Sequence, residues 1–223
     1  VVAAGNDSSD NITTPGIFTS NLTVGGSTHV EGQPPTYTVQ HSYGPWVDCI
    51  APSVQVPVIE IYPDRTTGLS EWTGTSFATP IVTACCAVIK KVLVTKGLPS
   101  APRDTVRRLI AGCVKLPDVE YKYQGSGIVN LGRSLETNED GSWVHNTVPL
   151  KIRVYETNMS SSGVTVSVIP YLSCGQIDNL TVTLLDSDSN VIAVRENVSL
   201  DPVDPTDIEI VLPGYTTIQS PFQ

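Results

Sequence analysis

The segment Trp72-Thr73-Gly74-Thr75-Ser76-Phe77-Ala78-Thr79-Pro80 places a serine where nucleophilic chemistry is possible. An apolar stretch of helical character, Ser76–Thr95, begins at that serine, so Ser76 is predicted to lie at a helix N-terminus with Pro80 in the first turn. Free N–H groups and the positive end of the helix dipole would then face an oxyanion formed beside the serine. On these residues alone, the alternative that Ser76 is only a helix cap stays open.

A second residue of suitable chemistry follows the apolar run Val1–Ala4, which predicts a short strand ending in Gly5 and Asn6. An asparagine at a strand end is often only part of a turn. Its carboxamide can also donate to an oxyanion without bringing charge. An α/β-hydrolase site is excluded, because its Gly-x-Ser-x-Gly elbow needs a glycine where Ala78 stands.

Six segments, in order and spacing, resemble the subtilisin-like serine proteases, the subtilases. Two of them are the asparagine segment Ala3–Asn6 and the serine segment Gly74–Pro80. The other four follow in chain order. They are a proline turn at 14–16, a strand ending in Val-Gly at 20–26, a Ser-x-x-Gly-Pro-x-Val-Asp-x-x-Ala-Pro block at 42–52 and a closing Gly-x-Gly strand at 125–130. The resemblance covers about residues 1–136. It implies the C-terminal part of a three-layer α/β domain with a parallel sheet.

By that resemblance Ser76 is the nucleophile of a serine endopeptidase that forms an acyl-enzyme. Asn6 is expected to supply the side-chain donor of the oxyanion hole, beside the Ser76 N–H. The expected substrate-binding residues are Ala4, Gly5, Asp7 and Thr75, the last through its hydroxyl.

The resemblance also implies three local features. Asp7 and Asp10 border the primary specificity pocket and would favour basic or polar P1 residues, although an acidic protein is equally expected to expose acidic loops. Pro15 corresponds to a proline in a tight turn, and we expect a cis bond before it. After Pro80 the chain has Ile81-Val82-Thr83-Ala84 where the family usually has His-Val-Ala-Gly, which predicts local repacking rather than inactivity.

The histidine and aspartate of a subtilase triad have no counterpart in the sequence. None of the three histidines, His29, His41 and His145, has the His-Gly-Thr-His setting of the family's base, and each is predicted to lie at the surface. The family's chain order is Asp, His, Ser, and both partners precede the oxyanion asparagine. We therefore expect the chain to depend on the missing N-terminal part of the catalytic domain and to have no peptidase activity alone.

Two kinds of pattern meet near residue 140. Before it, β-runs alternate with helical stretches, which predicts an α/β domain over 1–137. After a polar linker at 138–147, strand patterns predict an all-β sandwich-like domain over 148–223, with a hairpin turn at Asp186–Asn190. The predicted helices are Ser76–Thr95 and Arg103–Gly112, and the strands are Val1–Ala4, Leu22–Gly25, Trp46–Ala51, Val54–Tyr62, Leu150–Tyr155, Val164–Pro170, Leu180–Leu185, Val191–Val194 and Asp207–Leu212.

The amino-acid composition limits the kinds of molecule that the protein is expected to bind. The 223 residues carry a formal charge of −9, which would repel nucleic acid and anionic membranes, so we expect peptide or protein substrates. The longest apolar run, Ile81–Val94, contains Lys90 and Lys91, and no membrane span is expected. No residue set indicates a metal site, and a calcium requirement is left open.

The cysteines and asparagines indicate whether the protein is expected inside or outside the cell. The five cysteines are an odd number without metal-ligand spacing, and most are expected to be small core residues. Six of the ten asparagines begin an Asn-x-Ser/Thr sequon, which favours a secreted glycoprotein. The alternative is a Ser/Thr-rich surface without sugar. The six are Asn6, Asn11, Asn21, Asn158, Asn179 and Asn197.

Three functions therefore compete: a secreted serine endopeptidase, a pseudoprotease, and a β-sandwich binding or adhesion protein on a subtilase scaffold. Retention of Ser76 and Asn6 favours the first, since a scaffold without activity is free to lose either residue.

Overall fold

The computed structural model describes residues 1–12, 14–29, 33–38, 40–160, 163–171, 177–186, 188–200 and 206–211. The chain divides into two compact units, Val1–Pro149 and Leu150–Gln223. The first combines parallel strands with helices, and the described part of the second is built from strands. The predicted fold class, α/β followed by all-β, is therefore confirmed.

The first unit is organised around a small sheet. Its strands are β1 (Val2–Ala3), β2 (Thr23–Thr28), β3 (Thr36–Tyr37) and β4 (Cys49–Pro52). The central strand β2 pairs in parallel with β1 and β4, and antiparallel with β3. Val24, Cys49 and Ile50 are fully buried, as expected for strands covered on both faces. The carboxyl end of β1 delivers the chain to Gly5 and Asn6 at one edge of this sheet.

Two longer helices complete this unit. The first, α1 (Thr75–Thr95), packs on β2 and β4, and α2 (Pro102–Gly112) packs on α1. Both agree with the predicted helices to within one residue. Two short helices follow, α3 (Tyr121–Gln124) and α4 (Leu131–Leu135), and α4 packs on α2.

Helix α1 buries one stripe rather than several sides. The buried residues are Thr75, Ala78, Val82, Ile89 and Leu93. Ala84 is exposed and Val88 is 43% exposed, so the opposite side of the helix is not covered by the described residues. By length and composition alone, α1 is also apolar enough to cross a membrane. The same properties suit a helix that packs on a sheet, as α1 does here.

The chain just before the serine is a hairpin. Strand β5 (Val56–Ile61) agrees with the predicted strand, and it pairs antiparallel with β6 (Thr67–Trp72). We did not predict β6, because Gly68, Ser70 and Glu71 give it little β-propensity. Ile59 and Leu69 pair with each other, and both are more than three quarters exposed, at 76% and 79%.

The predicted closing strand at 125–130 is reduced to one bridging residue. Ile128 pairs in parallel with Ile50 and antiparallel with Val114. Gly127 has φ +113°, and a Cβ on it would lie 2.2 Å from the Val114 carbonyl oxygen. The glycine therefore lets the two segments approach closely enough to extend the edge beyond β4.

The segment predicted as a linker, 138–147, is part of the first unit. Thr137 bridges Trp143, and the Trp143 ring lies 4.7 Å from the Arg108 guanidinium carbon and 4.9 Å from Lys96 Nζ. The boundary between the two units falls after Pro149.

The described residues of the second unit form two antiparallel sheets with a shared apolar core. Its strands are β7 (Ile152–Met159), β8 (Gly163–Pro170), β9 (Ile177–Leu185), β10 (Val191–Leu200) and β11 (Thr206–Val211). One sheet has the order β11-β8-β7, and the other pairs β10 with β9. Val168, Ile208 and Ile210 of the first sheet meet Ala193 and Leu200 of the second. All five predicted strands are present, and Leu212 lies outside the described residues.

Asp186 organises the predicted hairpin turn between β9 and β10. Its Oδ1 accepts hydrogen bonds from the N–H groups of Asp188 (2.9 Å) and Asn190 (2.8 Å). Hydrogen bonds from Asn190 hold the pKa of the Asp186 carboxyl below its usual value. Within the described part of the chain, no group of three or more His, Cys, Asp or Glu side chains could hold a metal ion.

Candidate active site

Ser76 is the second residue of α1 and is exposed to solvent. Its neighbour Gly74 donates its N–H to the Ser53 carbonyl oxygen (2.8 Å), which fixes the start of the helix to the end of β4. Among the described residues, none hydrogen-bonds to the Ser76 hydroxyl or N–H. Both groups are therefore free to meet a ligand at the positive end of the helix dipole.

The structure brings Asn6 to the same helix end. The Asn6 Oδ1 accepts hydrogen bonds from the Thr75 N–H (2.9 Å) and from the Thr75 hydroxyl (3.1 Å). Two donors on one oxygen fix the plane of the carboxamide and identify its oxygen. The Nδ2 group is left as the outward end, without a partner among the described residues. Its N–H bonds remain for a ligand held next to Ser76.

Thr75 links residues 5–7, the asparagine loop, to α1, the serine helix. Its side chain is fully buried. Its hydroxyl oxygen lies 3.2 Å from the Gly5 nitrogen, 3.3 Å from the Gly5 carbonyl oxygen and 3.1 Å from Asn6 Oδ1. The hydroxyl accepts from the Gly5 N–H and donates to Asn6 Oδ1, the nearer of the two oxygens. Thr75 was predicted to bind substrate through this hydroxyl, and the structure turns it inward onto Asn6.

Ser42 holds the other side of the asparagine loop. Its N–H donates to the Gly5 carbonyl oxygen (3.0 Å), and its hydroxyl accepts from the Asp7 N–H (3.2 Å). Gly5 has φ +111°, and a Cβ there would lie 2.8 Å from Ser42 Oγ. We had noted Ser42 only as the first residue of the Gly-Pro block. Nothing in its sequence context showed that it contacts a loop 35 positions away.

Gly74 also positions Asn6, a role that the sequence pattern did not reveal. It caps α1 with φ +155° and ψ 155° and makes no side-chain bond. A Cβ at this position would lie 3.3 Å from Asn6 Nδ2. Glycine therefore leaves room for the outward end of the carboxamide.

The remaining predicted site residues surround this arrangement. Ala4 is 1% exposed and packs in the core with Trp46, Val47, Ile50 and Leu116. The Gly5 backbone is used internally, whereas Asp7 and Asp10 are exposed. Direct substrate contact by these residues stays a prediction. The predicted cis bond is confirmed at Thr14-Pro15.

The three histidines have different surroundings. His29 is exposed, as predicted. His41 is only 3% exposed, so the prediction of a surface position is wrong; its Nε2 lies 2.7 Å from Ser53 Oγ, and burial lowers its pKa. His145 is partly buried and lies between Glu136 (2.9 Å) and Arg133 (3.2 Å). None of the three hydrogen-bonds to Ser76.

Pro80 differs slightly from its predicted place. It is the sixth residue of α1, just beyond the first turn. Residue 80 would normally donate to the carbonyl oxygen of residue 76, so the proline removes that bond. The Ser76 backbone at the helix start is correspondingly less tied to the second turn.

Four cysteines lie in the first unit and are free thiols. Cys49 is fully buried, and the neighbouring Cys113 thiol together with burial raises its pKa. Burial and the adjacent Cys85 raise the pKa of Cys86 to about 11. Such thiols are protonated at neutral pH and poor nucleophiles. Cys174 lies outside the described residues.

Comparisons with known proteins bear on the family and the fold of this chain. Residues 1–126 match the model of the subtilase family, and no curated protein matches the chain. The solved prenylagaramide maturation protease PagA is 22% identical with a TM-score of 0.50, over 60% of this chain and 48% of that chain. The patellamide maturation protease PatA is 24% identical with a TM-score of 0.49, over 60% and 50%.

The likeness to PagA supports the fold alone. This chain spans about half the length of the solved relatives it matches. The family model covers more than half of the chain, from Val1 to Ser126, two residues before the Ile128 bridge. On that match, together with the serine helix and the asparagine loop, the chain belongs to the subtilase family.

Proposed function

We propose that this chain supplies the serine and the oxyanion hole of a subtilase that cleaves peptide bonds. One observation carries the proposal: Thr75 fixes the Asn6 carboxamide by its oxygen, at the helix end where Ser76 is exposed. An asparagine held in this way presents donors and no negative charge, which suits an oxyanion.

The chemistry follows from these groups. Ser76 Oγ attacks the scissile carbonyl, and the carbonyl oxygen takes up negative charge opposite Asn6 Nδ2 and the Ser76 N–H. Collapse of the tetrahedral intermediate breaks the C–N bond, releases the amine with a proton and leaves an ester on Ser76. Water then hydrolyses the ester and restores the hydroxyl.

The base that takes the Ser76 proton lies outside this chain in our proposal. His41 and His145 are held by other residues, and His29 has no contact with the serine among the described residues. The exposed side of α1, with Ala84 and Val88, offers an apolar surface for the rest of a catalytic domain. We infer that this missing part brings the histidine and aspartate and is the chain's first partner.

Labelling by a fluorophosphonate tests the proposal. This reagent reacts with a serine only when the serine is activated by its base. The complete polypeptide should be labelled at Ser76, the isolated 223-residue chain should not, and Ser76→Ala should abolish labelling. Ser20→Ala, an exposed serine in a turn, serves as the control. Labelling of the complete polypeptide that survives Ser76→Ala, or no labelling at all, would favour a pseudoprotease.

Asp7 is proposed to influence the P1 preference. It is exposed next to Asn6, and its backbone rather than its carboxylate is tied to Ser42. The carboxylate is therefore available to a basic P1 side chain. Cleavage after Lys relative to Leu should fall in Asp7→Asn, and an unchanged ratio would remove Asp7 from the pocket.

We also propose secretion with N-glycosylation, supported by the six sequons. Asn11, Asn158, Asn179 and Asn197 are exposed. Asn6 is an exception, because a sugar on Nδ2 would occupy the oxyanion donor. Enzymatic deglycosylation followed by peptide mass spectrometry should show sugar at one or more of the other sequons and none at Asn6. A sugar on Asn6 of the active enzyme would contradict the proposed role of that residue.

A further inference from the structure

A cavity of about 190 Å³ lies at the far end of α1 from the serine. Its apolar wall is formed by Leu93, Leu98 and Pro99, and Trp143 lines another side. Arg107 and Arg108 of α2 also line it. Lys96 approaches the Trp143 ring to 4.9 Å. Three cations thus gather at one place in a chain that has 22 acidic and 13 basic residues.

Arg108 is the unusual member of this group. Its side chain is only 5% exposed, and its Nε and Nη2 atoms are buried without a hydrogen-bond partner. The guanidinium carbon lies 4.7 Å from the centre of the Trp143 ring, so the indole covers one face of the cation. Within the described residues, no carboxylate forms an ion pair with it. A buried, unpaired charge of this kind is costly.

Asp104, which also lines the cavity, does not neutralise Arg108. Its Oδ2 accepts a hydrogen bond from the Ala101 N–H (2.9 Å) and so caps the start of α2. Asn146, at the rim, carries no charge. Asp104 keeps its charge, so two arginines against one carboxylate leave the lining with a positive excess, opposite an apolar wall.

We propose that this cavity is a binding site for a small oxyanion, a carboxylate or a phosphate, held by Arg108. The Nε and Nη2 atoms form one edge of the guanidinium fork, and two parallel N–H bonds from such an edge match the two oxygens of a carboxylate or phosphate. Arg107 adds charge beside it. The cavity is below the roughly 300–1,000 Å³ typical of drug-sized ligands, which limits the occupant to a small anion.

The Trp143 ring lies against the Arg108 guanidinium at the proposed site. It is partly exposed and packs on both Arg108 and Lys96. The two free nitrogens are shielded from solvent, so an anion reaches them only when a side chain lining the cavity shifts. Trp143 is the partly exposed lining residue that stacks on the Arg108 guanidinium. Binding should therefore change the fluorescence of Trp143. This site is independent of Ser76, and its existence does not depend on peptidase activity.

Thermal unfolding of the complete polypeptide tests the site. Wild type, Arg108→Met and the control Arg103→Met, an exposed arginine on the same helix, are compared in chloride, phosphate and acetate at equal ionic strength. Phosphate or acetate should raise the Tm of wild type and Arg103→Met with increasing concentration, and should leave Arg108→Met unchanged. In chloride, Arg108→Met should melt at or above wild type, because it removes a buried unpaired charge.

The more effective anion identifies the preferred chemistry. Arg108→Lys keeps the charge but loses the fork, and its binding constant from Trp143 fluorescence should weaken by about tenfold or more. Equal Tm shifts in wild type and Arg108→Met would overturn the proposal. So would a wild type that responds to neither anion beyond chloride.

Discussion

Replacing Thr75 by valine separates a positioning role from a substrate contact. Valine keeps the shape of threonine and the Thr75 N–H bond to Asn6 Oδ1, and removes only the hydroxyl. That hydroxyl accepts from Gly5 (3.2 Å) and donates towards Asn6 Oδ1 (3.1 Å) at a fully buried position. Two hydrogen bonds at about 0.5–1.5 kcal/mol each predict a loss of about 1–3 kcal/mol in the free energy of unfolding.

The catalytic effect follows from the same contacts. Asn6 Oδ1 keeps one of its two donors, so the carboxamide is held less firmly. Loss of about 0.5–1.5 kcal/mol of orientation lowers kcat by about 2- to 12-fold. Removal of the whole donor in a subtilisin costs about 10²–10³ in kcat, which sets the ceiling. KM should not change, because the Thr75 side chain is buried.

A double-mutant cycle in the complete enzyme checks this reasoning. We expect kcat of Asn6→Ala/Thr75→Val to equal that of Asn6→Ala, since Thr75 has nothing left to orient. Thr95→Val is the matched control: its hydroxyl bonds to the Lys91 carbonyl oxygen (2.9 Å) at the other end of α1 and is exposed. Additive losses in kcat, or a raised KM in Thr75→Val, would show that Thr75 acts on the substrate directly.

Two further predictions concern Gly74 and His41. Gly74→Ala should lower kcat, because its Cβ would lie 3.3 Å from Asn6 Nδ2. Gly97→Ala is the control, since Gly97 also has a positive φ but nothing lies within 4 Å of its Cβ position, and it should change stability alone. Equal kcat in both variants would refute the steric argument. Since burial lowers the pKa of His41 from its ordinary 6.5, the unfolded chain binds a proton that the folded chain resists, so stability should fall as the pH drops through 6.5. Urea unfolding above and below that pH should show a weaker dependence in His41→Gln, and an unaltered dependence would contradict the assignment.

Much of the site could be predicted from the sequence because local rules fix its parts. A run of apolar residues after Gly-Thr-Ser is enough to place Ser76 at a helix start, and an apolar run before Gly5 is enough to end a strand at Asn6. The strands of the second unit could also be predicted, since they are separated by polar turns such as the one at Asp186. Strand β6 could not be predicted, because it is specified by its pairing with β5 rather than by its own composition.

Contacts between distant segments could not be predicted in this way. His41 looks like a polar loop residue in the sequence, and only the fold shows that it packs beside Gly26, where a Cβ would lie 1.9 Å from the ring. The contact between Arg108 and Trp143, 35 positions apart, is likewise visible only in the fold.

The sequence by itself determined the chemical groups of this protein: a serine at a helix N-terminus, an uncharged donor at a strand end, and an all-β second unit. Only the tertiary structure decided how those groups are held. Thr75 and Ser42 act on Asn6 and Asp7 across separations of 69 and 35 residues. Propensity and periodicity report on a residue's near neighbours, whereas the orientation of a carboxamide depends on hydrogen bonds that form when β1, the 42–52 block and α1 pack together.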